Sequence, residues 1–567
     1  MDGTEKKVED LLRRFGRLKE DRQVFEPLWK DCMWYVAPVI EDWADDKPKD
    51  AYQIPKRITN KPSNFLNTCV TGIAGYAMSP NMKWFKLGLQ DPLLEEESAV
   101  RPWLEGCERI MRRTFERCGF YQKSLKWLEQ SAVYGQSAML IEEMRNSDAP
   151  VRFHVPEVPE VFLDDNEIGE TETVFRSYWT DIENVVNHYG IKAVHENMAK
   201  IYNDYSGKEG TAAPSDLSVK LLHAVYLRRT GKPDYNETAQ NKKWASVIID
   251  VANKHIISES GYDEFPYAIF FWEKWGKPYG LSPTMKAIND IALLQQTEMS
   301  RLNLAEISGN PPKIIPERLQ GKENFGPGGL NYVRTSDAPP AVLNAGANYP
   351  ITIEITNMMA QNIKEWYNVD FFLMLRQYQN VQNMTATAVA ALQGEQTALL
   401  SALVSNLYDG LSRVIQRTFN ILAKKRMFPP MPFALRVRGG AMKTDFLGVL
   451  AQAQKAAYEY TGITDVLQVA QAFAQFGKVD PEWGKAVNWL KPDTVFKKAI
   501  ESRGAPADVL RTQEEYDALM AAMKKREDET AAAEGQALQN QAVLQNAQNL
   551  NERVKPDSML AGLVGRQ

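Results

Sequence analysis

The sequence predicts a mixed α+β fold, mainly helical, in which a few long helices organise the rest. Three observations predict it. Residues 279–426 hold helical patterns separated by proline-rich and polar breaks. Residues 136–275 alternate short β-branched and aromatic runs with turn clusters. The C-terminal stretch is rich in Ala, Gln and Glu and carries few large apolar side chains.

In chain order, residues 5–37 read as an amphipathic helix. Val8, Leu11, Phe15, Leu18, Phe25 and Trp29 recur at steps close to three and four. Pro27 is expected to kink it and Pro38 to end it. Its apolar face is expected to pack on the body of the protein, although Trp29, Trp34, Tyr35 and Trp43 are also a composition that suits a membrane surface. NKPSNFLNTCVTGIAGYAM at 60–78 reads as a second helix, with Gly72, Ala74, Gly75 and Ala77 permitting close approach. KWFKLGL then reads as a strand. Helices are expected at 98–118 and 120–134, with Gly119 as a left-handed cap between them.

Strand patterns dominate next, at 136–144, 151–157, 172–180 and 219–228, with a helix at 181–190. Residues 243–259 read as two strands, and FPYAIFFWEKW leads into the central stretch.

That stretch opens with a helix at 285–307, stopped at Pro311 and Pro312. A loop-rich interval carries FGPGG at 325–329 and APP at 338–340. Helical pattern resumes near Glu354 and sets Ile355, Met359, Ile363, Trp366 and Leu373 toward one side. The polar run QYQNVQNM at 377–384 interrupts it. From Thr385 to about Lys425 there is no proline, and Leu399, Leu403, Leu407, Leu411, Ile415 and Leu422 form a face to be buried. A helix of about 40 residues spans roughly 60 Å, with Gly394 and Gly410 as expected bend points. Helix, irregular lobe, returning helix, polar loop and very long helix suit a radial assembly whose subunits each contribute staves to a wall.

FALRVRG at 433–439 reads as a short strand, followed by helices at 445–459, 463–476, 480–489 and 492–504. The Ala/Gln-rich tail is a strong helix former with little core of its own.

Composition narrows the function. The 567 residues can bury several cores, and two to four domains are expected. Lysines and arginines number 67 against 72 acidic residues, a net charge of −5. That balance argues against a strongly basic nucleic-acid grip, but not against a partner that slides past. Cys32, Cys69, Cys107 and Cys118 are dispersed without metal-ligand spacing and are expected to be reduced core residues. Met1 runs directly into DGTEKKVEDLL, so no signal peptide is expected. No apolar run approaches the roughly 20 residues that cross a bilayer.

Catalytic signatures are missing from the pattern. GGAMKT at 439–444 lacks phosphate-loop spacing. His195 and Glu196 begin like a zinc-protease helix, but Ala199 stands where the second ligand belongs. Of five histidines, only His188 and His195 have a spacing that could make them neighbours. Asp480, Glu482 and Lys485 miss nuclease spacing by one residue, and Asp164 with Asp165 reads better as a solvated turn than as a cation site. No enzyme activity, metal or cofactor is expected.

Several segments together carry a family likeness: WKDCMWYVAP at 29–38, WGKPYGLSPT at 275–284, NPPK at 310–313, MTATAV at 384–389 ahead of the long helix, and RMFPPMP at 426–432. In their order and spacing the chain resembles the head–tail connector, or portal, proteins of short-tailed (podovirus-like) bacteriophages. Ala388 departs from the acidic or polar residue of many relatives. The resemblance implies a homo-oligomeric ring of about twelve subunits around a channel for double-stranded DNA, with wing, stem, clip and crown regions.

By the same resemblance, 1–284 would hold the N-terminal helices and wing, 285–307 the first stem helix and 308–354 the clip. Residues 355–375 would be the second stem helix, 376–385 the channel loop, 386–432 the long wing helix, 433–529 the crown, and 530–567 a helical or flexible tail able to form a barrel. Arg376, Gln377, Gln379, Asn380, Gln382, Asn383, Met384 and Thr385 would line the DNA path. Pro311, Pro312, Phe325, Pro327, Asn331 and Tyr332 would meet the tail adaptor. Further partners implied are the terminase motor, scaffold and major capsid protein, with the ring made in the host cytoplasm and placed at the virion's portal vertex. The residues agree with this plan, since Gln and Asn offer weak, sequence-indifferent hydrogen bonds to passing DNA. Spacing alone also fits an ordinary surface turn. The alternative is another virion or assembly protein, such as a scaffold or minor capsid component.

Overall fold

The computed structural model describes residues 3–37, 56–144 save 96 and 98, 148–205, 217–228, 242–275, 278–309, 313–314, 341–342, 349–378, 401–448, 518–526 and 539–545. The chain divides into two compact units, 1–461 and 462–567. In the second unit the described residues are two helical stretches, 518–526 and 539–545, and every side chain of the latter is exposed.

The first unit is mixed α+β and mainly helical. It begins with α1 (Gly3–Gln23) and α2 (Glu26–Val36), then α3 (Lys61–Ala77), β1 (Phe85–Leu89), α4 (Pro92–Glu95), α5 (Val100–Arg117) and α6 (Phe120–Tyr134). The expected single N-terminal helix is thus two. The break falls at Val24–Phe25, and Pro27 sits in the first turn of α2, where its missing N–H has no partner to lose. Gly119 has φ +68 and separates α5 from α6, as its position in the sequence predicts.

A three-stranded antiparallel sheet has the order β3 (Val151–His154), β2 (Gln136–Glu143), β9 (Tyr267–Phe271). A five-stranded antiparallel sheet runs β4 (Val161–Asp165), β5 (Thr171–Asp181), β6 (Ser218–Leu227), β7 (Trp244–Asp250), β8 (His255–Tyr262). Its strands alternate in the way a sheet covered on both faces requires. Leu222, Ala224, Val247 and Ile249 meet Val8, Leu11, Phe15 and Leu18 of α1. Val219, Leu221 and Ile257 meet α7 (Ile182–Tyr189) and α8 (Glu196–Tyr205) on the other side. Burying a side chain of this size stabilises by about 1.5–3 kcal/mol, which fixes α1 to the sheet. The sequence pattern announces neither β4 nor α8. The first hides behind Asp164 and Asp165, and the second carries only a short stripe, with Met198 buried and Ala199 and Tyr202 packed beside it.

The remaining elements are β10 (Glu273–Lys274), β11 (Gly280–Leu281), α9 (Pro283–Gly309), β12 (Lys313–Ile314), β13 (Ala341–Val342), α10 (Tyr349–Trp366), α11 (Val369–Tyr378), α12 (Ser401–Lys424), α13 (Phe433–Arg438) and β14 (Met442–Phe446). The largest core joins α2, α3, α5, α6, β2, β9, α9, α10, α11 and α12. In α12, Leu407, Leu411, Ile415 and Leu422 are buried, as their spacing predicts, and Leu403 is partly so. The helix runs through Gly410 without interruption, and a Cβ there would fall 2.8 Å from Trp127. Gly410 is therefore a close-packing position within a continuous helix. Leu399, Gly394 and the start of the expected long helix lie outside the described residues.

The stretch 433–439 is a helix, not the expected strand. Its two-residue alternation misleads because Phe433 and Val437 are 78% and 65% exposed, and only Leu435 is buried. The strand follows at β14, which pairs antiparallel with β1. Asp445 and Phe446 belong to it, so the helix expected from 445 does not begin there. The rest of that helix and those at 463–476, 480–489 and 492–504 lie outside the described residues.

Candidate functional site

The element with most to say about function is the pair α9 and α10, which pack along each other and are locked at one end. Ser282 caps α9. Its hydroxyl accepts the Met285 N–H at 2.9 Å and donates to Val133 O at 2.8 Å, and Pro283 follows at the first helical position. Thr284, fully buried, donates to Ala132 O at 2.8 Å and sits 2.7 Å from the Tyr367 hydroxyl. Burial pushes the Tyr367 phenol far up, so it keeps its proton. The base of the hairpin is thereby tied to the end of α6 by buried, satisfied polar groups.

A second anchor holds one side of α9. Gln295 accepts the Ile58 and Thr59 N–H groups, each at 3.1 Å, and donates back to Thr59 O at 2.8 Å. Glu298, 4% exposed, pairs with Lys61 at 2.9 Å and Arg301 at 2.6 Å. The Ser-Pro pair is legible in the sequence as a helix start. The Thr284–Tyr367 and Gln295–Thr59 pairs join residues far apart in sequence and leave no local signal.

Beyond its base the hairpin carries apolar side chains that no described residue covers. Leu293, Met299 and Leu302 of α9 and Met358 and Trp366 of α10 are all at least 43% exposed. The returning helix therefore departs from expectation in two ways. Ile355, Met359 and Ile363 do pack inward, but Trp366 and Leu373 face outward. It is also two helices, broken where Asn368 takes φ +51, a conformation asparagine tolerates.

The expected channel loop is reached only at its edge. The backbone of Arg376 and Gln377 is helical, in the last turns of α11. Gln379, Asn380, Gln382, Asn383, Met384 and Thr385 lie outside the described residues, as do Pro311, Pro312, Phe325, Pro327, Asn331 and Tyr332.

The residues whose types could carry chemistry have structural partners. Asp164 accepts from Arg14 at 3.0 Å and Arg17 at 3.2 Å, and Asp165 pairs with Lys274 at 2.8 Å. His195 stacks edge-on against His255 at 5.6 Å, not against His188, because α7 and α8 are separate helices. No group of three or more potential metal ligands occurs among the described residues. Asp480, Glu482 and Lys485 lie outside them. Cys32, Cys69 and Cys107 are buried in the core, and burial pushes the thiols of Cys32 and Cys107 up to about 12. No described helix is long and apolar enough to cross a membrane.

A family profile described as bacteriophage head to tail connecting protein matches residues 8–510. The portal protein of Salmonella phage epsilon15 is 26% identical over 570 residues, covering 98% of this chain and 97% of that protein. The probable portal protein of Bordetella phage BPP-1 is 25% identical over 465 residues, covering 80% of each chain.

Proposed function

Because the chain belongs to the bacteriophage head-to-tail connecting protein family, we propose that it is the portal at one capsid vertex through which double-stranded DNA is packaged and ejected. The finer reading is a ring of about twelve copies in a short-tailed phage. On this reading α9 and α10 form the stem wall, 308–354 the clip that meets the tail adaptor, and 376–385 the loop facing DNA. The terminase motor docks on the ring during packaging and tail proteins replace it afterwards. No catalytic step of its own is assigned, since the work of a portal is geometric: it holds a hole open and symmetric.

The observation that carries this reading is the hairpin. Its base is locked by buried hydrogen bonds, yet Leu293, Met299, Leu302, Met358 and Trp366 are left in water. Several exposed apolar side chains on a rigid support suit an interaction surface. Spread over both helices of one hairpin, they suit a heterologous contact, which makes a ring when its rotation closes. The net charge of −5 also suits a passage that must not hold phosphates tightly.

The test is packaging in vitro. Capsid precursors assembled with this chain should protect DNA from nuclease when given the motor and ATP, and precursors lacking it should not. Equal protection without the chain would contradict the proposal.

A further inference from the structure

The outer face of α5 is used neither by the fold nor by the portal reading above. Trp103, Leu104, Cys107, Met111 and Phe115 bury its inner face. Arg109, Arg113 and Arg117 recur at intervals of four on the outer side, and all three are exposed. Successive guanidinium groups therefore stand about 6 Å apart along the helix axis.

Folding does not account for them. Arg109 and Arg113 have no ion-pair partner among the described residues, although this chain pairs most of its other basic groups near the sheet. Arg117 reaches Asp148 at 3.3 Å, but those side chains are 57% and 86% exposed, so water and salt screen the pair. The acidic neighbours do not cancel the stripe. Glu108 points inward to Lys83 at 2.6 Å, leaving Glu105 and Glu116 against Arg109, Arg112, Arg113 and Arg117. The choice of arginine is informative, because a planar guanidinium fork fits a phosphate with two parallel hydrogen bonds and a lysine does not.

We infer that Arg109, Arg113 and Arg117 form a sequence-indifferent binding stripe for the phosphate backbone of double-stranded DNA, separate from the proposed channel loop. Choosing DNA over an acidic protein rests on the portal reading, since a portal works beside DNA. The stripe explains how an acidic protein can still touch DNA on one local surface. Three guanidinium groups give a weak and reversible hold, which salt disperses.

The experiment measures binding of a fluorescent blunt DNA duplex to the full-length protein across a salt series, with assembly state followed by mass on the same samples. Three variants are compared: Arg109→Gln/Arg113→Gln/Arg117→Gln, the same three positions changed to Lys, and Lys192→Gln/Lys200→Gln/Lys254→Gln, which removes equal charge from another exposed surface. The arginine-to-glutamine variant should bind roughly tenfold more weakly at low salt. Its slope of log affinity against log salt should shrink by about 0.9 for each phosphate that is no longer neutralised. The arginine-to-lysine variant should keep most of the slope, and the distant variant should behave like the parent. Equal weakening in the two glutamine variants would overturn the inference, because net charge alone would then explain binding. Unchanged DNA binding, or loss of binding to polyglutamate but not to DNA, would overturn it too. A failure to form rings bears on the portal reading and is read independently from the masses.

Discussion

The hydroxyl of Tyr367 donates its proton to Thr284 Oγ1 across 2.7 Å, because the single Thr284 proton is already committed to Ala132 O at 2.8 Å. This chain of bonds closes the base of the α9–α10 hairpin within a core that excludes water. Removing Tyr367's donor by Tyr367→Phe should destabilise by about 1 kcal/mol. Thr284→Val strands both the phenol and the Ala132 carbonyl and should destabilise by about 1–3 kcal/mol. Denaturant unfolding of the two variants checks the order, and equal stabilities would refute the proton assignment.

The α3–α11 contact depends on the absence of a side chain. A Cβ at Gly72 would fall 2.6 Å from Phe372 Cδ1. Gly72→Ala should therefore destabilise by about 1–3 kcal/mol through overpacking, despite the better helix propensity of alanine. Phe372→Leu in the same chain should recover part of the loss. Thermal unfolding of the single and double variants reads the coupling, and simple additivity would count against a direct clash.

Acid sensitivity should arise in the five-stranded sheet. His223 is fully enclosed, with Nε2 2.9 Å from Ser246 Oγ, and burial lowers its pKa from 6.5 to about 4. The depressed value means that the unfolded chain takes up a proton first as pH falls. Stability from this group is present above about 6.5 and drains away toward 4, by up to about 1.4 kcal/mol per pH unit. His154, lowered to about 3 by burial and then by Arg176, acts in the same direction. His223→Gln should flatten the stability profile in that window. An unchanged slope would show that other groups govern it.

Much of this architecture is legible in the sequence because its cause is local. Ser282 and Pro283 announce a helix start, Gly119 a cap, and the leucines of α12 a buried face. The departures also have physical causes. Phe433 and Val437 alternate like a strand while a six-residue helix leaves them in water. Leu373 continues the helical period of α10 but lies beyond the break at Asn368, and Trp366, on the last turn before it, is exposed as well. The anchors Thr284–Tyr367 and Gln295–Thr59 come from packing between distant segments, which no spacing reveals. The arginine stripe is visible in the sequence as a spacing of four. It gains meaning only once α5 is seen to bury its other face and leave Arg109 and Arg113 unpaired among the described residues.

The polar run after α11 gives a prediction about DNA passage. Replacing Gln379, Asn380, Gln382 and Asn383 together with lysine should strengthen DNA retention at low salt and impede packaging, with both effects fading as salt rises. Serine at the same positions should be tolerated, because no fixed chemistry is removed. Packaging by assembled rings of each kind decides the matter. Lysine rings that package and release DNA like the parent at every salt concentration would take the loop off the DNA path.

On the portal reading, other copies of the same chain cover the apolar sides of the hairpin around an open axis. Purified full-length protein, imaged by electron microscopy and weighed intact, tests this most directly. Closed rings of about twelve copies with a central hole wide enough for duplex DNA are expected, and Leu302→Glu with Met358→Glu should abolish them while leaving the helical content of the monomer intact. A stable monomer or dimer under all assembly conditions, or rings that persist unchanged with both glutamates in place, would contradict it.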